Sequence, residues 1–159
     1  KESLHLEEFD LSELTEMVAE EAQGLAESKA VTLTAEIEPG ILVKADQTLM
    51  MRIWLNLLTN AVKYGRQQGQ IWLTLKSDGK NAVGTVRDDG IGISAAELPK
   101  IWKRFYRVNT ARSSGDDSGT GLGLAMVKWM VESHGGTVSA VSTLGAGSTF
   151  SFTIPLRPS

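Results

Sequence analysis

Apolar residues recur at helical spacing in two long segments of the chain. The first segment follows Asp10, a capping residue, and predicts a helix over residues 11–29. The second follows Asp46 and predicts a helix over residues 47–64, which Gly65 ends. The apolar positions of this second helix cover one broad arc and are Met50, Ile53, Trp54, Leu57, Leu58 and Ala61.

Alternation of apolar and polar residues predicts strands between and after these helices. The predicted strands span residues 4–9, 31–37, 41–43, 70–77, 82–88, 137–142 and 148–155. A short helical stretch follows Ser94, and a third helix is predicted from near Gly121 to His134. Strands with interspersed helices predict an α+β chain that folds as a single two-layer α/β sandwich.

Composition narrows the class of protein. The chain has 159 residues, of which 42% are apolar and 22% charged, as in an ordinary globular domain. It contains no cysteine, which excludes disulfides and thiolate metal sites. With a net charge of −3 and no apolar run of about 20 residues, neither nucleic acid binding nor a membrane span is indicated.

Polar side chains line one edge of the second predicted helix. Asn56 and Asn60 are four residues apart and lie on one face, with Lys63 close to the same line. An amide oxygen suits Mg²⁺ in a site rich in phosphate, and Lys63 would supply charge for phosphate oxygens. Tyr64 would add an aromatic wall. The alternative is a partly solvated helix edge, on which these residues need no explanation.

Two glycine-rich segments suggest nucleotide binding. Residues 119–124 precede a helix, whose N-terminal N–H groups could bind phosphate. In residues 88–93, Asp88 ends a strand and could accept a hydrogen bond from the exocyclic amine of adenine. A simple turn is the alternative. Residues 90–95 also satisfy the G-x-G-x-x-G/A dinucleotide fingerprint, but a polar stretch, residues 107–120, stands where its second parallel strand should end.

Together these segments resemble the ATP-binding catalytic domain of sensor histidine kinases, which have the Bergerat fold. The resemblance runs from about residue 6 to 156 in four motifs taken in order. Residues 56–64 resemble the N box, 88–92 the G1 box, 101–107 the F box and 119–124 the G2 box. It implies a mostly antiparallel mixed sheet packed on about three helices, with residues 107–120 as a mobile ATP lid.

The resemblance also implies roles for individual residues. Asp88 would bind the adenine amine, Asn60 with Asn56 would hold Mg²⁺, and Arg107 would assist the γ-phosphate. Lys63 and Asn56 would join Arg107 in catalysis. The other residues implied in binding ATP are Tyr64, Gly90, Gly92, Ile93, Phe105, Gly119, Thr120, Gly121, Leu122, Gly123 and Leu124.

Asn56 bears on the reaction class. Hydrolytic members of the superfamily carry at this position a Glu that orients water, and Asn cannot act as a base at neutral pH. The resemblance therefore implies a histidine kinase, which transfers the γ-phosphoryl group of Mg-ATP to a histidine. A regulatory nucleotide-binding module and a hydrolytic Bergerat-fold ATPase are the alternatives, and a dinucleotide enzyme is a more distant one.

Neither histidine fits the phosphoacceptor site. His5 lies in a strand-like context. His134 is a capping residue in the last turn of the third predicted helix, where the helix dipole favours a cation. We therefore expect residues 1–5 to end a linker from a dimerisation and phosphoacceptor domain, 6–156 to form the catalytic domain and 157–159 a tail.

The expected partners are that dimerisation domain and, through the whole sensor, a response regulator of a two-component phosphorelay. The isolated domain is expected to be monomeric, without direct membrane contact and cytoplasmic. Its parent could be an inner-membrane sensor.

Overall fold

The computed structural model describes residues 4–103 and 123–157. The described residues form three α-helices, which are α1 (Leu11–Ser28), α2 (Gln47–Tyr64) and α3 (Gly123–Ser133). The strands are β1 (Glu7–Asp10), β2 (Thr32–Ile37), β3 (Leu42–Ala45), β4 (Gln70–Ser77), β5 (Asn81–Asp88), β6 (Val138–Thr143) and β7 (Gly147–Pro155).

Both long helices begin at the predicted capping residues. The Asp10 carboxylate accepts a hydrogen bond from Glu13 N at 3.1 Å, and that of Asp46 accepts one from Leu49 N, also at 3.1 Å. Each bond satisfies a backbone donor that the first helical turn leaves without a partner. The bounds of α1 differ from the prediction by one residue, and those of α2 match it.

Five strands form one mixed sheet in the order β2-β4-β5-β7-β6, and β1 pairs with β3 in a small second sheet. Only the β2–β4 pair of the larger sheet is parallel, while β4–β5, β5–β7 and β6–β7 are antiparallel. The predicted two-layer α+β sandwich with a mostly antiparallel sheet is therefore confirmed.

The core lies between the helices and one face of the larger sheet. Trp54 of α2 is fully buried, and its ring meets Phe152 of β7 edge-on with 5.0 Å between ring centroids. Its indole N–H donates to Thr15 Oγ1 of α1 at 2.9 Å. This pair of contacts fixes α2 against both the sheet and α1, because a buried indole N–H needs a partner.

The segment after β5 is less helical than predicted. Ser94 Oγ accepts from Glu97 N at 3.3 Å, but the only helix among the described residues here is a 3-10 turn over Leu98–Lys100. Pro99 would lie inside a helix that began after Ser94, where it has no N–H to donate, so it disfavours the longer helix. The predicted lid over residues 107–120 lies outside the described residues.

Candidate functional site

A cleft of about 370 Å³ opens between the C-terminal half of α2, the start of α3 and the ends of β5 and β7. The lining combines polar groups with apolar side chains. Its residues are Asn60, Tyr64, Asp88, Ile91, Gly92, Ile93, Leu124, Ser148 and Phe150.

Asp88 is the buried acid of the cleft. It is the last residue of β5 and only 4% exposed, and its Oδ1 accepts from Gly90 N at 2.8 Å. Burial raises the pKa of Asp88 above its ordinary value, and the charge of Asp89 adds to this, whereas hydrogen bonds from the backbone of Gly90 and Ser148 oppose it. A buried carboxylate with free accepting capacity is suited to bind a donor on a ligand.

The loop after Asp88 is held by backbone hydrogen bonds. Ile91 N donates to Tyr64 O at 3.3 Å, and Gly145 N donates to Ile91 O at 2.7 Å. A Cβ on Gly90 would stand 2.2 Å from Tyr64 O. Gly92 has φ +73°, and a Cβ there would stand 2.1 Å from Thr143 O. These glycines are therefore required by backbone packing within the protein.

The structure brings together part of the residue set predicted on α2. Asn60 and Tyr64 line the cleft, while Asn56 is half-buried one turn away and outside the lining. Lys63 is exposed, and its Nζ lies 5.4 Å from the centroid of the Tyr64 ring. Lys63 therefore packs beside the aromatic wall of the cleft.

The predicted residues of the other motifs divide into three groups. Those that line the cleft are Asp88, Gly92, Ile93 and Leu124. Gly90 and Gly123 are outside the lining, and Gly123 begins the described part of α3. The remaining predicted residues lie outside the described residues and are Phe105, Arg107, Gly119, Thr120, Gly121 and Leu122.

Sequence reasoning missed Ile91, Phe150 and, above all, Ser148. Ser148 is 7% exposed at the start of β7 and pairs across the sheet with Asp88. Ser148, Phe150 and Phe152 alternate along the strand, which predicts that Ser148 faces the core side of the sheet. The pairing register that sets it beside Asp88 depends on tertiary structure.

Trp102 lies behind the wall of the cleft. Its ring meets Phe150 edge-on, with 6.0 Å between centroids and 82° between planes. Phe150 lines the cleft directly. Trp102 is therefore positioned to report by fluorescence on a ligand that contacts Phe150.

The two histidines have structural positions. His134 Nδ1 lies 2.8 Å from Met130 O, which makes it the predicted cap at the end of α3. Its Nε2 accepts from Asp46 N at 3.0 Å. Both ring nitrogens are therefore engaged where the end of α3 meets Asp46, as expected for a capping residue.

The dinucleotide interpretation does not fit the fold. Its fingerprint requires a parallel strand–helix–strand unit, but β5 is antiparallel to both of its neighbours, β4 and β7. The 90–93 segment leads to a 3-10 turn within the described range.

The described residues contain neither a cluster of metal-ligating side chains nor a helix that could span a membrane. Over residues 4–103 and 123–157, no three His, Cys, Asp or Glu side chains are grouped so that they could hold a metal ion. None of the helices in these ranges has the length and apolar character needed to cross a bilayer.

Residues 45–158 match the family described as histidine kinase-, DNA gyrase B- and HSP90-like ATPases. Sensor histidine kinase TmoS of Ectopseudomonas mendocina is 38% identical over 149 residues, 93% of this chain and 15% of that protein. Sensor histidine kinase YclK of Bacillus subtilis is 35% identical over 146 residues, 92% of this chain and 31% of that protein. The chain thus spans less than a third of either relative.

Solved structures of similar fold are also sensor histidine kinases. The mycobacterial sensor histidine kinase MprB superposes with a TM-score of 0.83 at 28% identity, covering 96% of this chain and 100% of that one. Full-length ShkA in complex with AMPPNP superposes with a TM-score of 0.82 at 31% identity, covering 99% of this chain and 32% of that one. The chain belongs to the family of histidine kinase-, DNA gyrase B- and HSP90-like ATPases, as the ATP-binding catalytic domain of a sensor histidine kinase.

Proposed function

We propose that this domain binds Mg-ATP in the cleft and offers the γ-phosphoryl group to a histidine on a separate dimerisation domain of the same sensor. The single observation that carries the proposal is the buried Asp88 carboxylate in the lining of the cleft. Desolvating a carboxylate costs free energy, which an amine donor on the ligand would offset.

The walls of the cleft suit the rest of a nucleotide. Ile93, Leu124 and Phe150 supply apolar surface for a purine ring, and Tyr64 supplies an aromatic edge. Lys63 lies beside Tyr64 with its ammonium exposed, where it would meet phosphate oxygens. The structural neighbour ShkA was solved with AMPPNP, an ATP analogue, which supports the same ligand class.

The residues present fit a magnesium ion that arrives with the nucleotide. Asn60 offers one neutral amide oxygen at the cleft, and Asn56, one turn away and outside the lining, would be a second donor. Mg²⁺ keeps several waters and takes the rest of its ligands from phosphates, so it needs few protein oxygens. When bound, it would neutralise charge on the phosphates during transfer.

Nucleotide titration followed by phosphotransfer tests the proposal. ATP should bind the wild-type domain, and Asp88→Asn should weaken binding by about 1.5–3 kcal/mol, the worth of a hydrogen bond to a charged group. An added dimerisation domain should then become labelled on histidine. Absence of ATP binding, or unchanged binding in Asp88→Asn, would overturn the assignment of the site.

Two other outcomes would change the class. ATP binding without phosphohistidine on any cognate acceptor would indicate a regulatory nucleotide-binding module. Rapid hydrolysis by the isolated domain would indicate a hydrolytic ATPase.

Asn56 offers a direct test of the hydrolytic alternative. Asn56→Glu introduces a carboxylate that could orient water, so we expect faster ATP hydrolysis. Asn56→Gln introduces a side chain of the same size as Glu but without a basic carboxylate, so ATP hydrolysis should stay slow. Equal rates in the two variants, with ATP binding intact, would remove Asn56 as the reason for slow hydrolysis.

A further inference from the structure

Ser142 of β6 is the centre of a small hydrogen-bond cluster behind the cleft. Its Oγ accepts from Ile93 N at 2.7 Å and donates to Gly147 O at 2.9 Å. The same oxygen lies 2.8 Å from Ser148 Oγ. Ile93 and Ser148 line the cleft, and Ser142 is half-buried outside the lining.

A count of protons fixes the direction of the hydrogen bond between the two serines. A serine hydroxyl has one proton to donate and two lone pairs. Since a carbonyl can only accept, the proton of Ser142 is directed to Gly147 O, and Ile93 N–H occupies one lone pair. The contact to Ser148 must then use the other lone pair of Ser142, with Ser148 as donor. Ser148 therefore presents only lone pairs to the cleft.

The neighbour of Ser148 across the sheet is also an acceptor. Asp88 and Ser148 are register partners on β5 and β7, and the ionised carboxylate of Asp88 has no proton to donate. A 6-amino purine presents an N–H donor to two such acceptors. A 6-oxo purine presents a carbonyl oxygen, whose lone pairs face those of Asp88 and Ser148.

We propose that Ser142 is a positioning residue that selects 6-amino over 6-oxo purine nucleotides by taking the proton of Ser148. This inference rests on the proposed function, because it assumes that the nucleobase lies against Asp88 and Ser148. Ser142 acts without touching the nucleotide.

The affinities of the wild-type domain and of Ser142→Ala for ATP and for inosine triphosphate test the inference. Ser142→Ala frees the Ser148 proton, which can then donate to the 6-oxo group. We expect the preference for ATP over inosine triphosphate to fall by about three- to tenfold, the effect of one hydrogen bond. Ser142→Ala also removes the hydrogen bond to Ile93 N. This loss should weaken the binding of both nucleotides equally, so it cancels in the ratio of their affinities.

Two variants control for a purely structural effect. Ser142→Thr restores the hydroxyl and should restore the wild-type ratio. Ser139→Ala removes a hydroxyl from an exposed position of the same strand and should leave the ratio unchanged.

The possible results separate this inference from the proposed function. Binding of neither nucleotide by the wild-type domain would overturn both. ATP binding with the wild-type ratio retained in Ser142→Ala would overturn the role of Ser142 alone. If Ser142→Ala does not fold, Ser148→Ala tests the inference instead, because it should weaken the binding of ATP without weakening that of inosine triphosphate. Loss of inosine triphosphate binding in Ser148→Ala would show that Ser148 donates into the cleft.

Discussion

At the level of single residues, the proposed role of Asp88 would link folding and binding through one proton. Burial and the charge of Asp89 raise its pKa, so the folded domain favours the protonated carboxyl. This contribution to stability is complete below the ordinary pKa of Asp and is lost as the pH rises through the raised pKa of Asp88. An amine donor on a ligand binds the ionised carboxylate more strongly than the protonated carboxyl, so we expect binding to have the opposite dependence on pH.

Nucleotide affinity should therefore fall on acidification, and the fall should begin at a higher pH than for an ordinary aspartate. Calorimetric titration of ATP between neutral and mildly acidic pH measures it. Asp88→Asn is the control. Titration of the nucleotide phosphates affects binding to both proteins, but only the wild type also has the titrating carboxyl group of Asp88. Parallel pH profiles in the two proteins would contradict the role of Asp88.

At the level of elements, the start of α2 and the end of α3 meet at Asp46. Its carboxylate accepts from His5 N at 3.0 Å and from Leu49 N, while its own N–H donates to His134. Burial tends to raise the pKa of Asp46, but the hydrogen bonds from His5 and Leu49, with His134 nearby, hold it below the ordinary value. Asp46 thus caps α2 and contacts both the segment before β1 and the residue that follows α3.

Asp46→Ala should destabilise the domain by about 0.5–2 kcal/mol, the usual cost of losing an N-cap. Asp46→Asn keeps a good capping residue and should lose less. The lowered pKa means that the contribution of the carboxylate is present above the ordinary pKa of Asp and is lost as the pH falls through the lowered one. Denaturant unfolding at neutral and acidic pH measures both effects. A similar loss in the two variants would show that charge, and not capping, dominates.

At the level of the whole molecule, close packing of α2 on the sheet orients the edge of the helix that lines the cleft. Gly84 of β5 makes this possible, since a Cβ there would stand 2.6 Å from the Phe152 ring and 2.8 Å from Trp54. Trp54 is held in turn by Thr15 of α1. The absence of one side chain in the middle of a strand therefore sets the spacing between the two layers.

Gly84→Ala should destabilise the fold by about 1–3 kcal/mol through overpacking, although Ala is normally the better residue in a strand. Gly24→Ala is the matched control, because Gly24 lies within α1 with nothing near its would-be Cβ. That change should stabilise by about 0.5–1 kcal/mol, since glycine weakens a helix. Thermal unfolding of both variants checks the pair. A neutral Gly84→Ala would mean that the layers separate easily.

Much of the fold could be predicted because its determinants are local. Asp10 and Asp46 are N-capping residues and predict where α1 and α2 begin. The helical spacing of apolar residues predicts the observed bounds of α2. The 3-10 turn at Leu98–Lys100 was predicted as a longer helical stretch, because spacing alone does not weigh the proline against the apolar residues around it.

The sequence by itself therefore determined most of the elements and the resemblance to histidine kinases, and it singled out Asp88, Asn60 and Tyr64, which line the cleft. These rest on side-chain periodicity and on motifs that lie within a few residues of one another. Only the tertiary structure decided that Ser148 stands beside Asp88, that Ser142 contacts Ser148 and Ile93, and that Gly92 packs against Thr143. The Ser142–Ser148 contact is local to the β6–β7 hairpin. The other contacts join residues about 50 or more positions apart, so they depend on how β5 and the segment after it meet that hairpin.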